Sequence, residues 1–492
     1  MLANKKTTTT VDGLNQKFFI RRLSGGQIKI SVPANLGPEE LGNKILVKVN
    51  VDESCKRLYE GSYLPNQDRP FHEWLEFLAE NYQQDKKIIT PVSATCKKCE
   101  FTCSPEQENA GLRSGYKECW TQQLNWSESD FAKPRMLDIW DFRRTSRMIG
   151  QQRYFMEEIS DDDLGLHPDV EDEMSRTERQ RIQIDKVVSG DNTPCILIEG
   201  LKKEMATWKF PLHFIDFETT ALAIPFTKGR HPYEGIAFQY SHHMVHADGT
   251  VVHKGQYIQR EQGVFPNFDF LRALKKELEQ DEGTIFRFAA HENTYLNIIY
   301  SQLKSGEEPD RDVLCDWIKT ITHSTERQEE SWEGARDMVD MCEIVKRFHY
   351  DPMTGGSNSI KKVLPAILNR SRFLQEKYAK PIYGTPTYPS HNFNDFAWIR
   401  NTDQGVENPY HLLPPLFEGV ADEQLDDFIT EEHLSDGGAA MMAYARMQFS
   451  EMTANERKQV IEGLLRYCEL DTLAMVMLWE YWKFEIFKVI SP

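Results

Sequence analysis

Leu212-His213-Phe214-Ile215-Asp216-Phe217-Glu218, bounded by Pro211 on one side and Thr219-Thr220 on the other, decides how this chain is read. Side chains alternate across a strand, so Asp216 and Glu218 leave the same face. Their neighbours Phe214, Ile215 and Phe217 are apolar, which makes the strand an interior one. Two carboxylates pointing together beside such a core must be neutralised, and a divalent cation is the simplest partner. In a chain this acidic an Asp-x-Glu triplet recurs by chance, so it is the setting that gives it weight.

Outward from this strand the pattern stays regular. Residues 236–245 and 250–258 bracket His246-Ala247-Asp248-Gly249 and read as a hairpin. Apolar spacing then predicts helices at 268–279, 292–303 and 333–348, the last through Met338, Met341, Ile344, Val345 and Phe348, with a short strand at 284–288. Residues 378–419 are rich in Pro, Tyr, Asn and Gly and read as an insertion or lid; a long helix over 453–489 follows. On the N-terminal side, strands are expected at 17–23, 27–32 and 44–51, and helices at 72–82, around 138–155 and at 176–188. The acidic stretch 157–173 reads as a solvated hinge. The expected organisation is a module over 1–130, a helical and acidic linker over 131–202, and a larger α/β domain over 203–492 with an insertion near 373–450.

The chain has 492 residues, with 58 Lys and Arg against 76 Asp and Glu, a formal charge of −18. The acidity argues against generic polyanion binding through net charge, so any nucleic acid must be held by local basic surface and metal ions. No apolar run is long enough to span a membrane, and 1–10 lack the apolar core of a secretion signal, so the cytoplasm is the expected location. No P-loop, G-x-G-x-x-G or G-x-S-x-G element is present.

Two further acids accompany the strand. Tyr467 and Asp471 are four apart on the last helix and share a face. Glu292, in Ala289-Ala290-His291-Glu292-Asn293, opens a helix directly after a short strand. Each alone has a plain reading: a core tyrosine above an exposed aspartate, or a first-turn charge on a helix dipole. Gly355-Gly356-Ser357-Asn358-Ser359-Ile360-Lys361-Lys362 reads equally as a phosphate clamp or as a helix N-cap with solvent-facing lysines. His291 is a substrate contact or a helix-start residue, and Asp340 a support for the site or a surface acid.

Cys96, Cys99, Cys103 and Cys119 have the density of a metal site, fitting tetrahedral zinc or an iron–sulfur cluster. The other five cysteines are scattered singly and are expected to be reduced small hydrophobes.

In order, Asp216-x-Glu218, Glu292 and Tyr467-x-x-x-Asp471 resemble the DEDD superfamily of RNase H-like exonucleases, in the subgroup with tyrosine in its last motif. The strings 355–365 and 467–476 resemble a bacterial family in which such a domain follows a RecB-like nuclease region, and the likeness covers about 203–489. One position departs: the superfamily usually has aspartate where Glu292 stands. The resemblance implies an RNase H-like mixed sheet flanked by helices, preceded by a smaller α+β module with a four-cysteine metal site. It implies hydrolysis of DNA or RNA from a single-stranded end, as a 3′→5′ exonuclease using two Mg²⁺ or Mn²⁺. Asp216 would bridge the pair, Glu218 and Asp471 would complete the ligands, Glu292 would act through water, and Tyr467 would orient the attacking water. Ser357, Ser359, Lys361 and Lys362 would contact substrate, and so would His291. The alternative is a nucleic-acid-binding or scaffold protein that keeps the fold without cleaving. RecB-like nucleases with a cysteine-held [4Fe–4S] cluster offer the parallel for the quartet, with Zn²⁺ as the alternative metal. Their acid and Asp/Glu-x-Lys motif is missing, since Lys48-Val49-Asn50-Val51-Asp52 does not supply it. Residues 1–130 therefore read as non-catalytic. Nuclease, helicase or defence-system proteins are the implied partners.

Overall fold

The computed structural model describes Leu2–Ala3, Phe19–Arg22, Ile28–Ser31, Leu46–Val47, 50–61, 70–88, 90–167, 171–324, 330–403, 405–413 and 438–490. Contacts divide the chain into two compact units. One consists chiefly of Leu46–Asp169 and Met174–Thr193, the other chiefly of Pro194–Pro492.

In the first unit an aromatic and methionine cluster forms the core. Trp120, Trp126, Met136, Ile139, Met148 and Met156 are all buried, and Trp126 stacks on Phe155 with centroids 5.0 Å apart. The expected helix over 138–155 is broken into short pieces, of which only Thr145–Gly150 is α-helical. Asp141 and Gln152 adopt positive φ (45° and 58°), a conformation that ends a helical run. Helix Arg176–Ser189 holds these pieces by side chains. Gln183 accepts from the Trp140 N–H and donates to the Asp138 carbonyl, and Gln180 donates to the Trp140 carbonyl. The acidic stretch is partly folded as well. Ser160 caps the short helix Asp161–Leu164, and Asp163 is buried against Arg153, which lowers its proton affinity. Of the strands expected further upstream, Phe19–Arg22 pairs antiparallel with Ile28–Ser31, and this ribbon is grouped with the second unit. Val51, expected in a strand, instead precedes the helix Asp52–Tyr59. The remainder of 17–23, 27–32 and 44–49 lies outside the described residues.

The second unit is built on a mixed five-stranded sheet. Its strands are β1 (Leu212–Thr220), β2 (Ile236–Val245), β3 (Val251–Ile258), β4 (Ile285–Arg287) and β5 (Val339–Asp340). They run in the order β5-β4-β1-β2-β3, with β1 central, β2 and β3 an antiparallel meander, and β4 and β5 parallel to β1. Helices α1 (Asn267–Leu278), α2 (His291–Ser305) and α3 (Arg311–Ile321) lie within about one residue of expectation, except that α3 has no counterpart there and α2 extends two residues further. After them come α4 (Met341–Phe348), α5 (Ile360–Arg370), α6 (Arg372–Tyr378), α7 (Gly438–Phe449) and α8 (Ala454–Ile490). The helix expected over 333–348 starts only at Met341. Val339 and Asp340 are drawn into the sheet by Phe286 and Arg287, and the Asp340 side chain caps α4.

Alternation along β1 assigns its two faces. Ile215 and Phe217 pack with α1, α2 and α3, whereas Leu212 and Phe214 pack with α4, α5 and α8. Asp216 and Glu218 continue the second face, at the strand end beneath α8. That helix has 37 residues, and 467–482 are buried throughout, so it reads as a core helix enclosed on all sides. No described helix is long and apolar enough to cross a membrane.

Candidate active site

The site sits where β1, α2 and α8 meet. A register shift between Glu218 and Thr219 interrupts the β1–β2 ladder beside the carboxylates, and the N–H of Ala237 there is taken by Asn267 Oδ1 at 2.9 Å. Bulges of this kind re-aim side chains next to functional sites.

Glu292 arrives by a different route. Between β4 and α2, Ala289 is held at φ 69°, a left-handed conformation costly for alanine. Asp340 pays that cost through its Oδ1, which accepts from the Ala289 N–H at 2.9 Å, while its Oδ2 pairs with Arg287 at 2.8 Å. Arg287 also donates to the Ala289 carbonyl. Asp340 is thus a partly buried pin, and it sets the start of α2 so that Glu292 points inward. Glu292 is 1% exposed and its Oε2 has no hydrogen-bond partner.

Helix α8 supplies the rest. Tyr467, Cys468 and Asp471 lie on one side of it, and all three are buried. Cys468 Sγ is 3.5 Å from Asp216 Oδ2. Among the described residues, Asp216, Glu218 and Cys468 form the one group of three or more metal-ligating side chains whose ligand atoms all lie within 4.8 Å of one another. Asp471 is turned to a different partner, accepting a hydrogen bond from the Tyr410 hydroxyl. Lys361, from the first turn of α5, reaches the Tyr467 hydroxyl, and its Nζ stands 4.9 Å from the Tyr467 ring and 5.6 Å from that of Tyr410.

The electrostatics follow from this crowding. Burial, and then the charges of Asp471, Glu292 and Glu218, push Asp216 well above the usual carboxylate range. Glu218 is pushed up to about 8 by burial and by Asp471, with Lys361 opposing. Glu292 is pushed up to about 8 by burial, against backbone hydrogen bonds and Arg287. Burial raises Asp471 too, opposed by Lys361 and by the Tyr410 hydroxyl. The donor set therefore fits hard divalent cations: acidic oxygens are gathered in a buried site and held above the usual carboxylate range for want of positive charge.

The remaining expected residues divide. His291 is exposed at the rim, with Nε2 3.0 Å from Thr219 Oγ1. Gly355 and Gly356 take φ of 60° and 86° in the turn before α5, where Ser357 Oγ accepts from the Ser359 N–H at 3.2 Å. Ser359 occupies the N-cap position without capping through its side chain. Lys361 reaches the site, and the adjacent Lys362 is exposed. Two residues of the site had no signal as such. Cys468 looked like a scattered small hydrophobe, although its spacing of three from Asp471 puts both on one helical side. Tyr410 comes from an aperiodic segment.

In the first unit, Cys96, Cys99, Cys103 and Cys119 are half-buried and in no disulfide, and three of them pack against the aromatic cluster. They do not form a group within the 4.8 Å that Asp216, Glu218 and Cys468 satisfy.

Residues 213–359 match a family model described as a domain of unknown function, DUF2779. The match takes in Asp216, Glu218, Glu292 and the glycine turn, and it ends before Lys361, Tyr467 and Asp471. No curated protein and no solved structure matches the chain.

Proposed function

We propose that the second unit is a metal-dependent nuclease that hydrolyses phosphodiester bonds of DNA or RNA, working as a 3′→5′ exonuclease on single-stranded ends. The observation that carries this reading is the convergence of Asp216, Glu218, Glu292 and Asp471 from β1, α2 and α8. All are pushed above the usual carboxylate range, chiefly by burial, and Tyr467 stands beside them. The mixed sheet with β1 central and helices on both faces supports an RNase H-like fold.

Asp216, Glu218 and Asp471 would hold two Mg²⁺ or Mn²⁺ ions, with Glu292 acting through water. When bound, such ions stabilise the attacking and leaving oxygens of an in-line displacement. The chain's own residues do the positioning. Tyr467, tethered to Lys361, orients the attacking water by its hydroxyl. Lys361 offsets charge on the scissile phosphate, and the turn at Ser357 and Ser359 with Lys362 contacts the strand. His291, on Thr219, faces the substrate from the rim.

A second reading, a non-cleaving nucleic-acid-binding or scaffold protein, is favoured by one feature: the Tyr410 hydroxyl occupies an oxygen of Asp471. Digestion of labelled single-stranded DNA and RNA in Mn²⁺ separates the two. The nuclease reading expects cleavage that Asp216→Asn abolishes and Tyr467→Phe slows by roughly 10- to 1,000-fold. No cleavage by the unsubstituted protein, or full cleavage by Asp216→Asn, sinks it.

For the first unit the proposal is a structural [4Fe–4S] cluster on Cys96, Cys99, Cys103 and Cys119, with Zn²⁺ as the alternative. Iron and zinc content per chain after anaerobic purification decides between them. The protein is proposed to work in the cytoplasm beside nuclease, helicase or defence-system partners.

A further inference from the structure

We propose that a groove along α2 is a nucleobase subsite, taking a base of the strand whose backbone is held at the carboxylates. This rests on the nucleic-acid reading of the site. The groove has a volume of about 660 Å³ and is half-open to solvent. That is within the range of cavities that hold small organic ligands. Its walls are the outer side of α2, from Asn293 to Ser305, and the loop 231–234 that joins β1 to β2. Its helix is the one that delivers Glu292, its loop follows the strand that carries Asp216 and Glu218, and it begins one residue after Glu292. Along the helix axis it runs for about 18 Å.

The lining chemistry selects a base over a phosphate. No lysine or arginine is among the described lining residues, and the amides and hydroxyls there are uncharged hydrogen-bonding groups. Glu234, the one carboxylate, is committed to Arg230 and to Gln302, at 3.1 and 3.0 Å. Asn297 points to the ligand more directly. It is 6% exposed, and its Nδ2 donates to the carbonyls of Asn293 and His323, at 2.7 and 3.1 Å, which fixes the amide orientation. Its Oδ1 is left buried with no partner. An unfilled acceptor of this kind calls for an N–H donor, and every nucleobase carries one. Tyr233 stands at the rim, 48% exposed and held at φ 59°. A half-exposed tyrosine lining the groove is a platform on which a base can stack.

The test uses the full chain and separates the groove from the chemistry. Binding of fluorescein-labelled single-stranded oligonucleotides, DNA and RNA, is measured in Ca²⁺ by anisotropy. Hydrolysis of bis(p-nitrophenyl) phosphate, which needs only the carboxylates, is measured in Mn²⁺. Ser301→Trp fills the groove from an exposed helical position, and Tyr233→Ala removes the platform. Each is expected to weaken oligonucleotide binding about 10-fold and to leave ester hydrolysis unchanged. Binding at unsubstituted strength in both variants overturns the subsite, as does a failure of the unsubstituted protein to bind either oligonucleotide. Groove-dependent binding without ester hydrolysis keeps the subsite and removes only the nuclease reading.

Discussion

Asp471 and Glu469 lie two residues apart on α8, both buried, and their surroundings are opposite. Glu469 is fully enclosed, yet four side chains face its carboxylate: Tyr383, Ser390, Asn392 at 2.6 Å and His253 at 3.1 Å. Burial pushes it upward, but the hydrogen bonds from His253, Ser390 and Tyr383 outweigh burial and hold it below the usual carboxylate range. The bonding continues through Ser241 and Thr472, 2.8 Å apart, to His243 and back to Tyr383. Asp216, Glu218, Glu292 and Asp471 receive no such supply and are pushed upward. A buried carboxylate saturated with donors belongs to the scaffold. One left without donors is a site awaiting positive charge.

The largest effect should come from attacking the saturated acid. Glu469→Ala leaves His253, Tyr383, Ser390 and Asn392 facing a void, and breaking a buried charged network from one side costs about 3–5 kcal/mol. Denaturant titration of the metal-free protein should show that loss. Asp216→Asn in the same assay should show little, because it leaves no set of donors unpaired and relieves a carboxylate that burial and neighbouring acids already disfavour. Equal losses in both would erase the distinction between the two sets of acids.

The pH dependence sharpens the comparison and has a definite sign. Glu218 and Glu292 bind protons more tightly folded (about 8) than unfolded (ordinary value 4.5), so between those limits the folded state carries more protons. Stability of the metal-free protein should therefore fall as pH rises from about 4.5 to about 8 and level off above. Mg²⁺ should reverse the trend, because it binds the deprotonated acids and its stabilising effect grows with pH. Thermal melts at pH 5.5 and 8.5, with and without Mg²⁺, read this directly. Metal-free stability that rises over this window would show the acids to be ionised and balanced in the fold.

How much of this was legible in the sequence depends on whether a residue's role is local. The strand at Asp216 and Glu218 could be read because apolar residues flank both acids, and α8 because apolar residues dominate it from Leu470 to Trp482. The start of α4 could not, since Asp340 becomes strand and cap only through Arg287 and Ala289 on another segment. Glu292 was found by its place at a helix start. The left-handed Ala289 that aims it left no mark in residue type. Asp471 could be told from Glu469 only by its spacing of four from Tyr467, and the difference in their chemistry comes from tertiary donors. Tyr410 is the extreme case, a single side chain from an aperiodic segment brought to the site by the fold alone.

Tyr410 also gives the smallest and most discriminating expected change. Its hydroxyl donates to Asp471 Oδ1, an oxygen that an arriving cation would need. If the phenol competes with the cation, Tyr410→Phe removes one hydrogen bond, worth about 1 kcal/mol net, while keeping the ring near Tyr467. Mn²⁺ should then bind about 5-fold more tightly by calorimetry. Weaker Mn²⁺ binding would reverse the assignment. It would mean that Tyr410 orients Asp471 toward the ion from behind, as outer partners of metal-binding carboxylates do, and that Asp471 is better supplied with donors than its neighbours.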